Sequence, residues 1–151
     1  MYQTILIPTD GSEAAEEAVD HAVELARRFD ATLHILYVVD TSAVDLSMGT
    51  EQVQRIKEGR LGEMKELKER INNAMARVEE KAKAAGVETV SETEAGRPHK
   101  QIATYADEQD IDLVVMSSHG RSGVQRLLLG SVTERVLRTL KRPVLVVDAS
   151  G

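Results

Sequence analysis

The chain has 151 residues, a formal net charge of −6, no cysteine, no tryptophan and only 3% aromatic residues. The length suits one domain over residues 1–151 with a substantial core, and the missing cysteines exclude disulfides and thiolate metal sites and fit a cytoplasmic protein. The acidic balance argues against nucleic acid as a partner, and the scarcity of aromatics argues against stacking platforms for single strands. No apolar run approaches the roughly 18 residues of a membrane span, and Met1-Tyr2-Gln3-Thr4-Ile5 lacks the basic-then-apolar pattern of a secretory signal, so neither membrane insertion nor export is expected.

In chain order, Thr4-Ile5-Leu6-Ile7-Pro8 predicts a short buried strand. Asp10-Gly11-Ser12 follows as a turn and helix cap, and Ala14, Ala15, Ala18, Val19, Ala22, Val23, Leu25 and Ala26 then recur at helical spacing. Thr32–Val39 is rich in branched and apolar residues and predicts a second strand. Residues 40–59 are mixed in character, a loop with some helix. From about Leu61 to Ala85 a long helix is expected, with Met64, Leu67, Ile71, Ala74, Met75, Val78 and Ala82 on one face and Gly86 as a stop signal. That spacing fits either a crossover helix on a sheet or a coiled-coil seam. The alanine-rich, short seam favours the crossover.

Val87–Glu94 predicts a third strand, and Pro98 opens a helix where its missing N–H costs little. Leu113–Met116 predicts the fourth strand, Ser131–Leu140 the last helix with Val132, Val136, Leu137 and Leu140 inward, and Pro143–Val147 the fifth strand. Strands alternating with helices imply right-handed crossovers and an α/β fold whose mainly parallel sheet is covered on both faces.

The chemistry concentrates after the first and fourth strands. Ser117-Ser118-His119-Gly120-Arg121-Ser122-Gly123, with Gly130-Ser131 further on, joins a buried strand to a helix start. Small residues let a ligand approach the backbone, and unpaired N–H groups with the positive end of a helix favour phosphate. Ligands of open α/β sheets sit beyond the carboxyl ends of strands, where the strand order reverses. If strands one and four are neighbours, Pro8-Thr9-Asp10 and the glycine-serine segment line one crevice. Asp10 then serves either as an acceptor for a base or sugar or as a cap, since Asp10 and Glu13 have capping-box spacing. Ser131 and Glu134 repeat that spacing.

Other readings are weaker. The phosphate-loop signature, the dinucleotide fingerprint and the G-x-S-x-G elbow are absent, and the four histidines make no metal-ligand pattern. His119 suits a loop or supporting role rather than a catalytic one. His21 and His99 read as surface helix residues, and His34 as a buried strand residue.

Several segments in order carry a family resemblance: Ile5-Leu6-Ile7-Pro8-Thr9-Asp10-Gly11-Ser12, Tyr37-Val38-Val39-Asp40, Gly96-Arg97-Pro98, Asp112–Gly120, Leu129-Gly130-Ser131-Val132-Thr133 and Arg142–Val147. Together they resemble the universal stress protein family of the UspA type. The resemblance implies a Rossmann-like, adenine nucleotide α-hydrolase-like fold with a five-stranded parallel sheet in the order 3-2-1-4-5. ATP-binding members carry G-x2-G-x9-G-[ST]; here Gly120, nine residues, Gly130 and Ser131 match, and Ser117 replaces the first glycine.

Carried residue by residue, the resemblance implies that Pro8, Thr9 and Asp10 border adenine and ribose. The backbone of Val38 reads the adenine edge. Ser117, His119, Gly120, Arg121, Gly130, Ser131 and Val132 wrap ribose and phosphates, and Met116 and Thr133 complete the implied nucleotide site. ATP or another adenine nucleotide is the implied cofactor, with Mg²⁺ or Mn²⁺ on the phosphates and no protein metal ligand assigned.

The function so implied is ATP binding in stress regulation, with slow hydrolysis at most. The alternatives are a nucleotide-independent dimeric interaction module with a vestigial pocket, favoured by Ser117, and an enzyme cleaving between phosphates. A homodimer through the apolar edge strand Val144, Leu145, Val146 and Val147 is also implied.

Overall fold

The computed structural model describes residues 2–41, 50–118 and 130–148, with the backbone alone over 50–63. The elements are β1 (Thr4–Thr9), α1 (Glu13–Phe29), β2 (Thr32–Asp40), α2 (Thr50–Ala84), β3 (Thr89–Gly96), α3 (Pro98–Glu108), β4 (Leu113–Ser117), α4 (Ser131–Thr139) and β5 (Val144–Val147). All strands pair in parallel, in the order β3-β2-β1-β4-β5. The expected architecture therefore holds, strand for strand.

The strands read as continuous apolar runs because both sheet faces are covered, yet alternation still decides which side chain goes where. Ile5, Ile7, Leu33, Ile35, Leu113 and Val115 face one way, against Ala18, Val19 and Ala22 of α1 and Ala74, Met75 and Val78 of α2. Leu6, Leu36, Val114 and Met116 face the other way, against Ile102, Tyr105 and Ala106 of α3 and Val136 of α4. The sheet thus separates two cores. The α3–α4 layer is the one relevant to the candidate site.

Three expectations need correction. The long helix begins at Thr50, well before Leu61, so part of the mixed segment is helical. A helix of 35 residues spans about 50 Å, whereas a nine-residue strand spans about 30 Å, so α2 overshoots the sheet. Met64, expected on the packed face, is accordingly 62% exposed. Leu137, expected inward, is 40% exposed because Val132, Val136 and Leu140 form the inner stripe of α4 and Leu137 lies about 100° around the axis. His34 is buried as expected, and its Nδ1 shares a 2.8 Å hydrogen bond with the Tyr105 hydroxyl across the sheet–α3 interface.

The helix caps also differ from the spacing argument. Ser12, not Asp10, caps α1, its hydroxyl accepting from Ala15 N at 3.2 Å. Asp10 sits two residues earlier and closes a turn, Oδ1 accepting from Ser12 N at 2.9 Å. At α4 the cap position is Gly130, Ser131 is the first helical residue, and no side chain caps the helix. A capping box needs its Ser at the extended residue before the helix, and here the helix starts one residue too soon.

Candidate functional site

The ladder between β1 and β4 ends at the Leu6–Val114 pair, although β1 runs on to Thr9 and β4 to Ser117. The two carboxyl ends part where the strand order reverses, and a cavity of about 570 Å³ opens there. Its size falls within the roughly 300–1,000 Å³ usual for small-ligand sites.

Of the expected residues, Pro8 and Thr9 line it from β1, Asp10 from the turn that follows, Val38 from β2, Met116 and Ser117 from β4, and Gly130, Ser131, Val132 and Thr133 from the start of α4. His119, Gly120 and Arg121 lie outside the described residues. Every expected residue whose position is described borders this cavity.

The β1 wall is stiffened from within. Thr9 Oγ1 accepts from Gly11 N at 3.1 Å, and Tyr37 donates its hydroxyl to the Asp10 carbonyl at 3.2 Å. Gly11 has φ of +79°, a left-handed turn that residues with a Cβ adopt at a cost. On the opposite wall, Thr133 Oγ1 donates to the Ser117 carbonyl at 2.9 Å, and Gly130 N donates to the Ser118 carbonyl at 2.7 Å. These two bonds fix the first turn of α4 against the end of β4.

The amides of that turn divide in two. Gly130 N–H is consumed by Ser118, so it is unavailable to a ligand. Ser131, Val132 and Thr133 occupy the first three helical positions, whose N–H groups have no acceptor inside a helix. No side-chain cap serves them, and they have no other acceptor among the described residues. An uncapped helix start facing a cavity suits the oxygens of a phosphate through both amides and dipole. The donor set therefore fits an anionic, phosphorylated ligand. Among the described residues no group of three His, Asp or Glu side chains converges to hold a metal.

Sequence reasoning missed part of the lining. Tyr37, Val39 and Asp40 from β2, Leu67 from α2, and Pro98 and Ile102 from α3 also border the cavity. Tyr37, Val39, Asp40 and Pro98 stood in the resembling segments, which was the available signal. Leu67 had none, because the placement of α2 across the sheet is a tertiary outcome. His99, in the first turn of α3, titrates below its ordinary range because of burial and then the nearby charges of Arg135, Lys100 and Arg97.

A parallel sheet in this order, open at the β1–β4 junction beside an uncapped helix start, defines a Rossmann-like class of α/β protein. The profile described as the universal stress protein family matches residues 1–148, and the chain belongs to that family. It is 39% identical to universal stress protein MJ0531 of Methanocaldococcus jannaschii, over 97% of this chain and 82% of that protein. Among solved structures it superposes on MJ0577 of the same organism with a TM-score of 0.77 at 30% identity, covering 98% of this chain and 96% of that one. It also superposes on a universal stress protein in complex with cAMP, with a TM-score of 0.70 at 29% identity over 99% and 98% of the two chains.

Proposed function

We propose that this protein binds an adenine nucleotide, ATP foremost, in the β1–β4 cavity and acts as a regulatory binding protein of the stress response. The observation that carries this reading is the uncapped first turn of α4, whose Ser131, Val132 and Thr133 amides have no acceptor among the described residues and stand beside a cavity of about 570 Å³. Adenosine would lie between Asp10, Val38 and Met116, with its phosphates toward α4. The solved relative that holds cAMP supports an adenine ligand, and the spacing from Gly120 to Gly130-Ser131 supports a polyphosphate. A Mg²⁺ or Mn²⁺ ion would take its ligands from phosphate oxygens and water. Hydrolysis is expected to be slow at most, since one oxygen of the Asp10 carboxylate is held by the Ser12 amide.

Calorimetric titration with ATP and Mg²⁺ tests the reading. Saturable binding that Gly130→Val abolishes with the fold intact is expected. Absence of both heat and thermal shift at millimolar ATP would overturn it. The dimer belongs to the same proposal. β5 is a sheet edge with Leu145 37% exposed, an apolar strand prone to pair with a second copy. Light scattering at micromolar concentration is expected to give twice the chain mass, and Leu145→Asp to give a monomer.

A further inference from the structure

Beside the cavity lies a second cleft of about 370 Å³, between the first turns of α3 and α4. Arg97, His99 and Arg135 line it, together with Asp40 and Ser131. Arg97 precedes α3 at the cap position and Arg135 lies on the second turn of α4. The two spaces are contiguous, sharing Asp40, Pro98, Ser131 and Val132.

Among the described residues three arginines make no ion pair: Arg70, which borders neither space, and Arg97 and Arg135, which share this cleft. Arg27, Arg28, Arg77, Arg138 and Arg142 each pair with a carboxylate. Neither Arg97 nor Arg135 makes an ion pair or a side-chain hydrogen bond among the described residues. Acidic residues outnumber basic ones 25 to 19 in this chain, so leaving two guanidinium groups unpaired in one cleft is not forced by a lack of carboxylates. Asp40, the acidic residue of the lining, has an interaction of its own. Guanidinium groups present planar forks that match phosphoryl oxygens, and like charges gathered in a concave site are relieved by an anion between them.

We propose that this cleft is a second anion site that takes a phosphoryl group of the nucleotide in the adjoining cavity. The preferred ligand is then an adenine nucleotide with more than one phosphate, such as ATP or a bisphosphate, not a nucleoside monophosphate. The inference rests on the nucleotide reading of the main cavity for its adenine part, and on Arg97 and Arg135 for its anion part.

Calorimetry at fixed ionic strength tests it with adenosine, AMP, adenosine 3′,5′-bisphosphate, ATP and inorganic pyrophosphate. The proteins are the wild type, Arg97→Gln/Arg135→Gln, Arg97→Lys/Arg135→Lys and the distant control Arg28→Gln. The double Gln variant is expected to bind the bisphosphate or ATP about tenfold more weakly or worse, with adenosine within about twofold of wild type. The Lys variant should recover part of the loss, and the control should change nothing. Circular dichroism checks that each variant is folded.

Unchanged affinity of the double Gln variant for every anion overturns the site. Loss confined to pyrophosphate, with nucleotides unaffected, overturns its link to the nucleotide and leaves a site for free inorganic anions. Pyrophosphate binding that depends on the two arginines, in a protein that ignores every adenosine compound, supports the site and defeats the adenine reading instead.

Discussion

Gly96 closes β3 with φ of +150°, and its carbonyl accepts from Thr41 N at 3.2 Å. A Cβ there would stand 2.5 Å from Gln101 Nε2 and 3.1 Å from its Cγ. Gly96→Ala is therefore expected to cost about 1–2 kcal/mol, from backbone strain and displacement of Gln101. A urea midpoint equal to wild type would show that both relax. His34 gives a second prediction at this scale. Burial holds its pKa below the ordinary value. Below about pH 6.5 the unfolded chain binds a proton that the folded chain does not, so stability falls with pH until the folded pKa is passed. His99 shifts in the same direction and adds to the slope. The loss of stability between pH 7.5 and 5.5 should be smaller in His34→Gln than in wild type; parallel curves for the two proteins would exclude His34 as a source.

At the scale of elements, the junction of β4 and α4 sets helix stability against ligand binding. Gly130 has φ of −59° and ψ of 150°, which any residue adopts, so its smallness is not demanded by the backbone. A side chain there would supply the missing cap. Gly130→Asp should leave the ligand-free protein as stable as wild type or a few tenths of a kcal/mol more so, because a carboxylate at this position accepts from the second or third helical N–H. The same carboxylate takes the amides that a phosphate needs and repels it. Nucleotide binding should therefore be lost while thermal stability is kept. A variant that both caps the helix and binds ATP as wild type would show that the phosphates do not use this turn.

For the whole molecule, a ligand that binds only the folded state stabilises it by mass action, about 2.7 kcal/mol at a hundredfold excess over Kd. For a chain near 150 residues, each kcal/mol raises Tm by about 2–4 °C. Saturating ATP should thus raise Tm by about 5–10 °C, measured by scanning fluorimetry. An equal shift from adenosine alone would mean that the phosphates contribute nothing. Much of this molecule was legible beforehand. The apolar runs at Thr4, Thr32 and Leu113 read as buried strands, and the three-to-four spacing from Ala14 to Ala26 as a helix, and both are found. The strand order came from the family resemblance, and with it the expectation that Thr9 and Ser117 flank one crevice. Less legible were the positions that depend on how far elements extend. Leu67 and Met64 lie on the same stretch of α2, yet one borders the cavity and the other faces solvent.

Local chemistry therefore determined the alternation of strands and helices, the two-sided burial of the sheet, and the glycine-serine junction that suits an anion. Those follow from periodicity and from the backbone freedom of particular residues, which act over a few positions. Folding in three dimensions decided that Ser12 rather than Asp10 caps α1, that Ser131 leaves its helix uncapped, and that Arg97 and Arg135 meet in one cleft. Those outcomes hinge on where distant segments stop and on whose hydrogen bonds are already spent, and neither is written in any short stretch of chain.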